Sequence, residues 1–148
     1  MQDRRLFSIL TLAGTIPFVA AALLTLLGHD AFHPLGSIQD VALSYGLAIS
    51  CFLAGIHWAT RLYLRKPDSI NLFVTSNIVV LSCWIPYQFL PAPWTVAALI
   101  AALGFLLYVD LRLHWFGVID AYYVKIRTVA TVLACSSLAV VGWHSLVT

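Results

Sequence analysis

The chain contains no glutamate, and only 9% of its 148 residues are charged. A soluble domain of average composition has about 25% charged residues, which cover its surface. Here 61% of the residues are hydrophobic and the mean hydropathy is strongly positive. Most of the surface of such a chain cannot face water, so the sequence predicts an integral membrane protein.

The common signatures of soluble enzymes are also missing. The chain has no P-loop, GxSxG, HExxH or GxGxxG motif, and no CxxC or CxxCH spacing. Its cysteines, Cys51, Cys83 and Cys135, lie inside apolar runs, where a thiol usually acts as a small packing residue. The net charge of +2 is small and scattered, which argues against nucleic-acid binding. We therefore predict no catalytic residues, no metal and no cofactor.

Five apolar stretches are long enough to cross a bilayer, since about 20 residues at about 1.5 Å each span the hydrocarbon core. They cover residues 6–27, 41–63, 70–90, 95–113 and 128–146. No linker or charge block divides them, so we predict a single domain over residues 1–148, an all-α bundle of five transmembrane helices. Pro17 removes a backbone hydrogen bond from the first span and predicts a kink there.

In this topology every basic residue falls on one side of the membrane. The N-terminal head and the loops after spans two and four hold all eight: Arg4, Arg5, Arg61, Arg65, Lys66, Arg112, Lys125 and Arg127. By the positive-inside rule this side is the cytoplasm, or the matrix in a mitochondrion, with the N-terminus inside and the C-terminus outside. We predict a multi-pass protein of the bacterial inner membrane, with the mitochondrial inner membrane as the less favoured location.

One face of the second span combines small residues with polar ones. Gly46, Ser50, Ala54, His57 and Arg61 fall within an arc of roughly 80° at 100° per residue. Small residues let transmembrane helices approach closely, so this face predicts a helix contact with His57 pointing inward. A histidine in that place could be a proton relay, a haem ligand or a headgroup contact. The alternative is a structural histidine that bonds a Ser, Tyr or Asn of a neighbouring helix.

A membrane haem commonly needs two axial histidines at similar depth on facing helices. Only His57 and His114 lie toward the basic side, whereas His29, His33 and His144 lie toward the other. One pair alone does not suggest an electron-transfer chain, so haem is disfavoured.

More polar residues gather near His57, at the ends of spans two and four and the start of span five. The predicted binding cluster on the cytoplasmic side consists of His57, Trp58, Arg61, Asp110, Arg112, His114, Tyr123 and Arg127. Within it, Asp110 and His114 lie one turn apart and can meet. The cluster could bind an anionic headgroup or a small substrate. It could equally be a set of interfacial salt bridges with an aromatic belt.

Two blocks of sequence resemble the domain-of-unknown-function family numbered 3429, small multi-spanning proteins of bacteria and mitochondria. The first is Tyr45-Gly46 leading to Phe52-Leu53-Ala54-Gly55-Ile56-His57-Trp58, and the second is Asp110-x-Arg112, Gly117 and Tyr122-Tyr123-x-Lys125-x-Arg127. The likeness covers about residues 45–127, with Ala54 where the family often has Gly. It implies an inner-membrane location and singles out six residues, without implying a reaction: His57, Trp58, Asp110, Arg112, Tyr123 and Arg127.

The leading functional hypothesis is a non-enzymatic accessory or assembly-type protein. Its partners would be membrane lipid, another membrane protein or a second copy of the chain, and not nucleic acid. The alternative is a small transporter or ion-conducting protein with His57 and Asp110 on its path. A membrane enzyme or haem protein is the third hypothesis.

Overall fold

The computed structural model describes residues 2–32, 34–63 and 70–147, and of residues 2, 3, 32 and 147 only the backbone. This part of the chain forms α1 (Gln2–Ala13), α2 (Ile16–Leu26), α3 (Ile38–Tyr63), α4 (Leu72–Phe89), α5 (Ala92–Trp115) and α6 (Ala121–Val147). Two short strands, β1 (Ala31–Phe32) and β2 (Gly36–Ser37), pair antiparallel between α2 and α3. Arg65 and Lys66 of the loop after span two lie outside the described residues, as does His33.

The predicted all-α membrane bundle is confirmed. Within the described residues, five helical segments are long and apolar enough to cross a membrane: Arg4–Leu26, Ile38–Tyr63, Leu72–Phe89, Ala92–Trp115 and Ala121–Leu146. Large apolar side chains also cover the outside, such as Leu26 at 70% exposed and Trp143 at 71%. The last span begins at Ala121 and not at Thr128 as predicted, because Lys125 and Arg127 are helical and do not belong to the preceding link.

The first span is broken, as Pro17 predicts. Helix α1 ends at Ala13 and α2 begins at Ile16, with Pro17 in its first turn. Because proline has no N–H, it cannot donate to the carbonyl four residues earlier, and the chain turns at Gly14 and Thr15. The Tyr45 hydroxyl of α3 donates to the Gly14 carbonyl oxygen at 2.9 Å and holds the break against the second span.

Helix α5 lies in the middle of the bundle, where it contacts α3, α4 and α6. Its Leu99, Leu103 and Leu106 are almost completely buried. Helix α6 approaches it closely at Gly142, where an added Cβ would lie 2.8 Å from Cγ1 of Val96. Helices α1 and α2 pack along α6. The polar residues described next lie on α3, α5 and α6, which contact one another.

Candidate functional site

A carboxylate lies at the centre of the polar site, where three helices meet. Asp110 of α5 is 2% exposed, and Oδ1 lies 2.8 Å from Nε2 of His57 on α3. Its other oxygen, Oδ2, accepts a hydrogen bond of 3.2 Å from Nε of Arg127 on α6. Because a carboxylate can only accept, the His57 Nε2–H donates to it. One aspartate thus links all three helices.

The sequence explains why these side chains are buried. His57 follows Ser50 and Ala54 on the small-residue face of α3, which is buried as predicted. Asp110 extends the buried stripe of α5 that includes Leu106 and Val109. Charged groups are seldom buried without a partner. Here Asp110 is the partner of both His57 and Arg127.

Arg127 makes further contacts with its own helix. Its Nη1 donates to Oγ1 of Thr131, one turn later, at 3.4 Å, and the Tyr123 hydroxyl, one turn earlier, interacts with the same guanidinium. The side chain is only 7% exposed, yet Nη2 finds no hydrogen-bond partner among the described residues. Buried donors in proteins are usually paired, so this nitrogen needs an explanation.

Beside Arg127 a cleft of about 430 Å³ opens between α1, α3 and α6. Apart from Tyr123, Arg127 and four threonine or glycine positions of the walls, its lining is apolar: Phe7, Leu10, Phe18, Ile49, Phe52, Leu53, Ile56, Leu103, Ala130 and Ala134. Leu10 and Phe52 line the cleft and are also 62% and 65% exposed, so its mouth faces the lipid side of the bundle. The volume is within the range of small-molecule pockets.

Helix α1 forms the outer wall of this cleft and packs against α6. The Phe7 ring stacks on Tyr123 with 5.1 Å between centroids, and the Ser8 and Tyr122 hydroxyls lie 2.6 Å apart. Near the N-terminal end of α1, Nη2 of Arg4 donates a hydrogen bond of 2.8 Å to Oδ2 of Asp120. The kink at Gly14 lets α1 follow α6 while a gap remains toward α3.

The structure brings together four of the eight predicted site residues: His57, Asp110, Tyr123 and Arg127. Trp58 is 41% exposed and packs edge-on against Phe73, with 4.8 Å between ring centroids. Arg61 lies one turn beyond His57, in the last turn of α3, and is partly exposed. The binding role assigned to these residues stays a prediction.

Arg112 and His114 contact partners close to them in the sequence. The Arg112 guanidinium lies 5.5 Å above the Phe116 ring, and the His114 Nδ1 lies 2.8 Å from the Ile119 carbonyl oxygen. The contact that the one-turn spacing allows between Asp110 and His114 is not the one that the structure forms. Asp110 faces the bundle interior, where His57 and Arg127 offer better-buried donors. Within the described residues, no group of three His, Cys, Asp or Glu could hold a metal ion.

Three features of the site were not predicted from the sequence. Thr131 was not among the predicted site residues, although its position four after Arg127 places both on one helix face. The Arg4 partner of Asp120 is 116 residues away, and no local pattern connects them. The cleft itself is a space between helices that only the packing of the bundle defines.

Comparison with known proteins places the chain in a family. Transmembrane protein 69 of Xenopus tropicalis is 34% identical over 133 residues, which cover 87% of this chain and 50% of that protein. Transmembrane protein 69 of Mus musculus is 32% identical over 140 residues, covering 88% and 53%. The chain thus spans about half the length of these relatives. No solved structure matches it significantly. The family model described as "Protein of unknown function (DUF3429)" matches residues 4–142, and the chain therefore belongs to the DUF3429 family.

Proposed function

We propose that this membrane protein is a non-enzymatic accessory protein that holds a lipid in the cleft between its first and second spans. The observation that carries the proposal is the cleft itself, which is apolar along most of its lining and opens toward the bilayer between Leu10 and Phe52. A molecule that enters from that side must already be dissolved in the membrane. A bilayer lipid is the most abundant such molecule.

The contacts of the polar residues favour binding over transport. A transport path through His57 and Asp110 would need those groups to face a water-filled passage. Both are instead bonded to each other in the interior, and the described residues that line the cleft include neither of them. Of His57, Asp110 and Arg127, only Arg127 is among the residues that line the cleft.

The proposed orientation rests on the charge asymmetry of the chain. All eight Lys and Arg residues belong to the N-terminal side of the five-span topology. This supports a cytoplasmic or matrix location for that side, in the inner membrane of a bacterium or a mitochondrion.

The test is lipid retention through purification. Protein extracted in a mild detergent is analysed by native mass spectrometry for lipid that remains bound. Thr11 lines the cleft and is partly exposed, so Thr11→Trp fills the cleft with little disturbance of the core. Its neighbour Leu12, 37% exposed, faces outward, and Leu12→Trp is the matched control.

We expect one lipid per wild-type chain, and about a tenfold loss of retention in Thr11→Trp, equivalent to about 1.4 kcal/mol. Leu12→Trp should retain lipid like the wild type. Wild-type protein without bound lipid would contradict the proposal, as would equal retention by the two tryptophan variants.

A further inference from the structure

The unpaired nitrogen of Arg127 indicates what part of a ligand reaches the end of the cleft. Nε and Nη1 of the guanidinium donate to Asp110 and Thr131, whereas Nη2 has no partner among the described residues. A buried donor without an acceptor has lost its hydrogen bond with water and gained nothing in return. Since Arg127 lines the cleft, a ligand held there can supply the missing acceptor.

The charges around Arg127 favour a neutral acceptor. Asp110 already provides the carboxylate that matches the guanidinium, at 3.2 Å and 3% exposed. A second anion in this apolar place would be a buried charge without a partner, which is costly. A carbonyl oxygen accepts a hydrogen bond from Nη2 without adding charge.

The depth of Arg127 fits the ester level of a bilayer. Helix α6 has 27 residues, which make it about 40 Å long. When the helix is centred, a hydrocarbon core of about 30 Å leaves about 5 Å beyond each boundary. Arg127 lies about 9 Å from the helix start, hence roughly 4 Å inside the boundary. Ester carbonyls lie near this boundary, and their acyl chains continue inward.

We infer that the cleft takes an ester-linked acyl lipid, with the acyl chain against Phe18 and Leu103 and an ester carbonyl oxygen on Nη2 of Arg127. Tyr123, which interacts with the guanidinium and lines the cleft, lies beside the same carbonyl. This inference rests on the proposed function and names the chemistry that the site recognises.

The experiment compares two synthetic phosphatidylcholines with the same headgroup and chain length, one with ester and one with ether linkages. The ether lipid lacks only the carbonyl oxygens. Delipidated wild-type protein is offered both in competition, and the bound ratio is read by native mass spectrometry. A third lipid, ester-linked phosphatidylglycerol, tests whether a negative headgroup contributes.

For the wild type we expect the ester lipid to be preferred about tenfold, equivalent to about 1.4 kcal/mol. Headgroup charge should change the ratio by less than about twofold, because Asp110 already matches the guanidinium. Equal binding of ester and ether lipids would overturn the inference and leave the proposed function standing. A preference set by the anionic headgroup would also overturn it. Binding of neither lipid would overturn both.

A substitution at Arg127 tests whether this residue is the origin of the preference for the ester lipid. Arg127→Lys keeps the charge that pairs with Asp110 but removes the planar second arm, so the ester preference should fall to within about twofold. The control is Arg112→Lys, because Arg112 contacts Tyr108 and Phe116 and does not line the cleft. An ester preference that survives in Arg127→Lys would exclude Nη2 as the donor.

Discussion

Asp110 is the single residue on which the arrangement of the polar site depends. Its two oxygens accept from His57 on one helix and Arg127 on another, and all three side chains are at most 7% exposed. Breaking a buried ion pair by removal of one partner is strongly destabilising, because the remaining charge stays in a poorly solvating place. The aspartate therefore fixes both the packing of three helices and the position of the Arg127 guanidinium.

Asp110→Asn should lower the free energy of unfolding by about 3 kcal/mol, since the amide keeps the shape but leaves the guanidinium charge unmatched. The measurement is the loss of helical circular dichroism when the protein in mild detergent is titrated with a denaturing detergent.

The matched control is Asp120→Asn, which also removes an aspartate from an arginine partner. Arg4 and Asp120 are 67% and 56% exposed, and exposed pairs contribute less than about 1 kcal/mol. Similar losses in the two variants would show that burial of Asp110 does not matter.

Sequence reasoning identified the members of this network but not their pairing. His57, Asp110, Tyr123 and Arg127 were placed on one side of the membrane because polar residues reappear there at the helix ends. The choice between His114 and His57 as the partner of Asp110 depends on how α3 and α5 are rotated about their axes. Helix rotation is set by packing over the whole bundle, and local spacing does not encode it.

At the scale of helices, the contact of α5 with α6 depends on a residue without a side chain. A Cβ at Gly142 would lie 2.8 Å from Cγ1 of Val96, closer than side-chain atoms approach one another. Valine is β-branched and has little freedom to move away. The two helices can therefore hold their present distance only with glycine here.

Gly142→Ala should destabilise the protein by about 1 kcal/mol, because overpacking usually costs about 1–3 kcal/mol and alanine returns about 1 kcal/mol of helix propensity. The same unfolding titration measures it. Gly104→Ala is the control, because a Cβ there meets no described atom within 4 Å and should leave stability unchanged or slightly higher. A neutral Gly142→Ala would mean that α5 and α6 are not packed this closely.

The break in the first span was predicted from the local sequence, but the direction of α1 beyond it was not. Pro17 predicts a kink, since it removes one backbone hydrogen bond, and α1 does end shortly before it. The direction that α1 then takes depends on contacts far along the chain, such as Phe7 with Tyr123. The cleft exists because of that direction, and so it could not be predicted.

For the whole molecule, hydropathy and charge predict the number of membrane spans and their order along the chain. Five apolar stretches gave the five spans, because the bilayer thickness sets the length of each helix. The boundary that differs most from its prediction is the start of α6, because Lys125 and Arg127 were counted with the preceding loop, whereas Arg127 is helical and pairs with Asp110.

The charge asymmetry predicts the orientation of the molecule. In a bacterial host, a reporter enzyme active only outside the cytoplasm should be active when fused after the C-terminus. The same reporter fused after Trp115, between α5 and α6, should be inactive, because that link shares the basic side. The reverse pattern of activities would refute the orientation.

In the proposed function, a membrane lipid occupies the cleft and reaches Arg127. The most direct test is an experimental structure of the protein in a lipid nanodisc of ester phospholipids. We predict elongated density between α1 and α3 that ends within hydrogen-bond distance of Nη2 of Arg127. A cleft closed by α1 packed onto α3, or density that does not approach Arg127, would contradict this proposal.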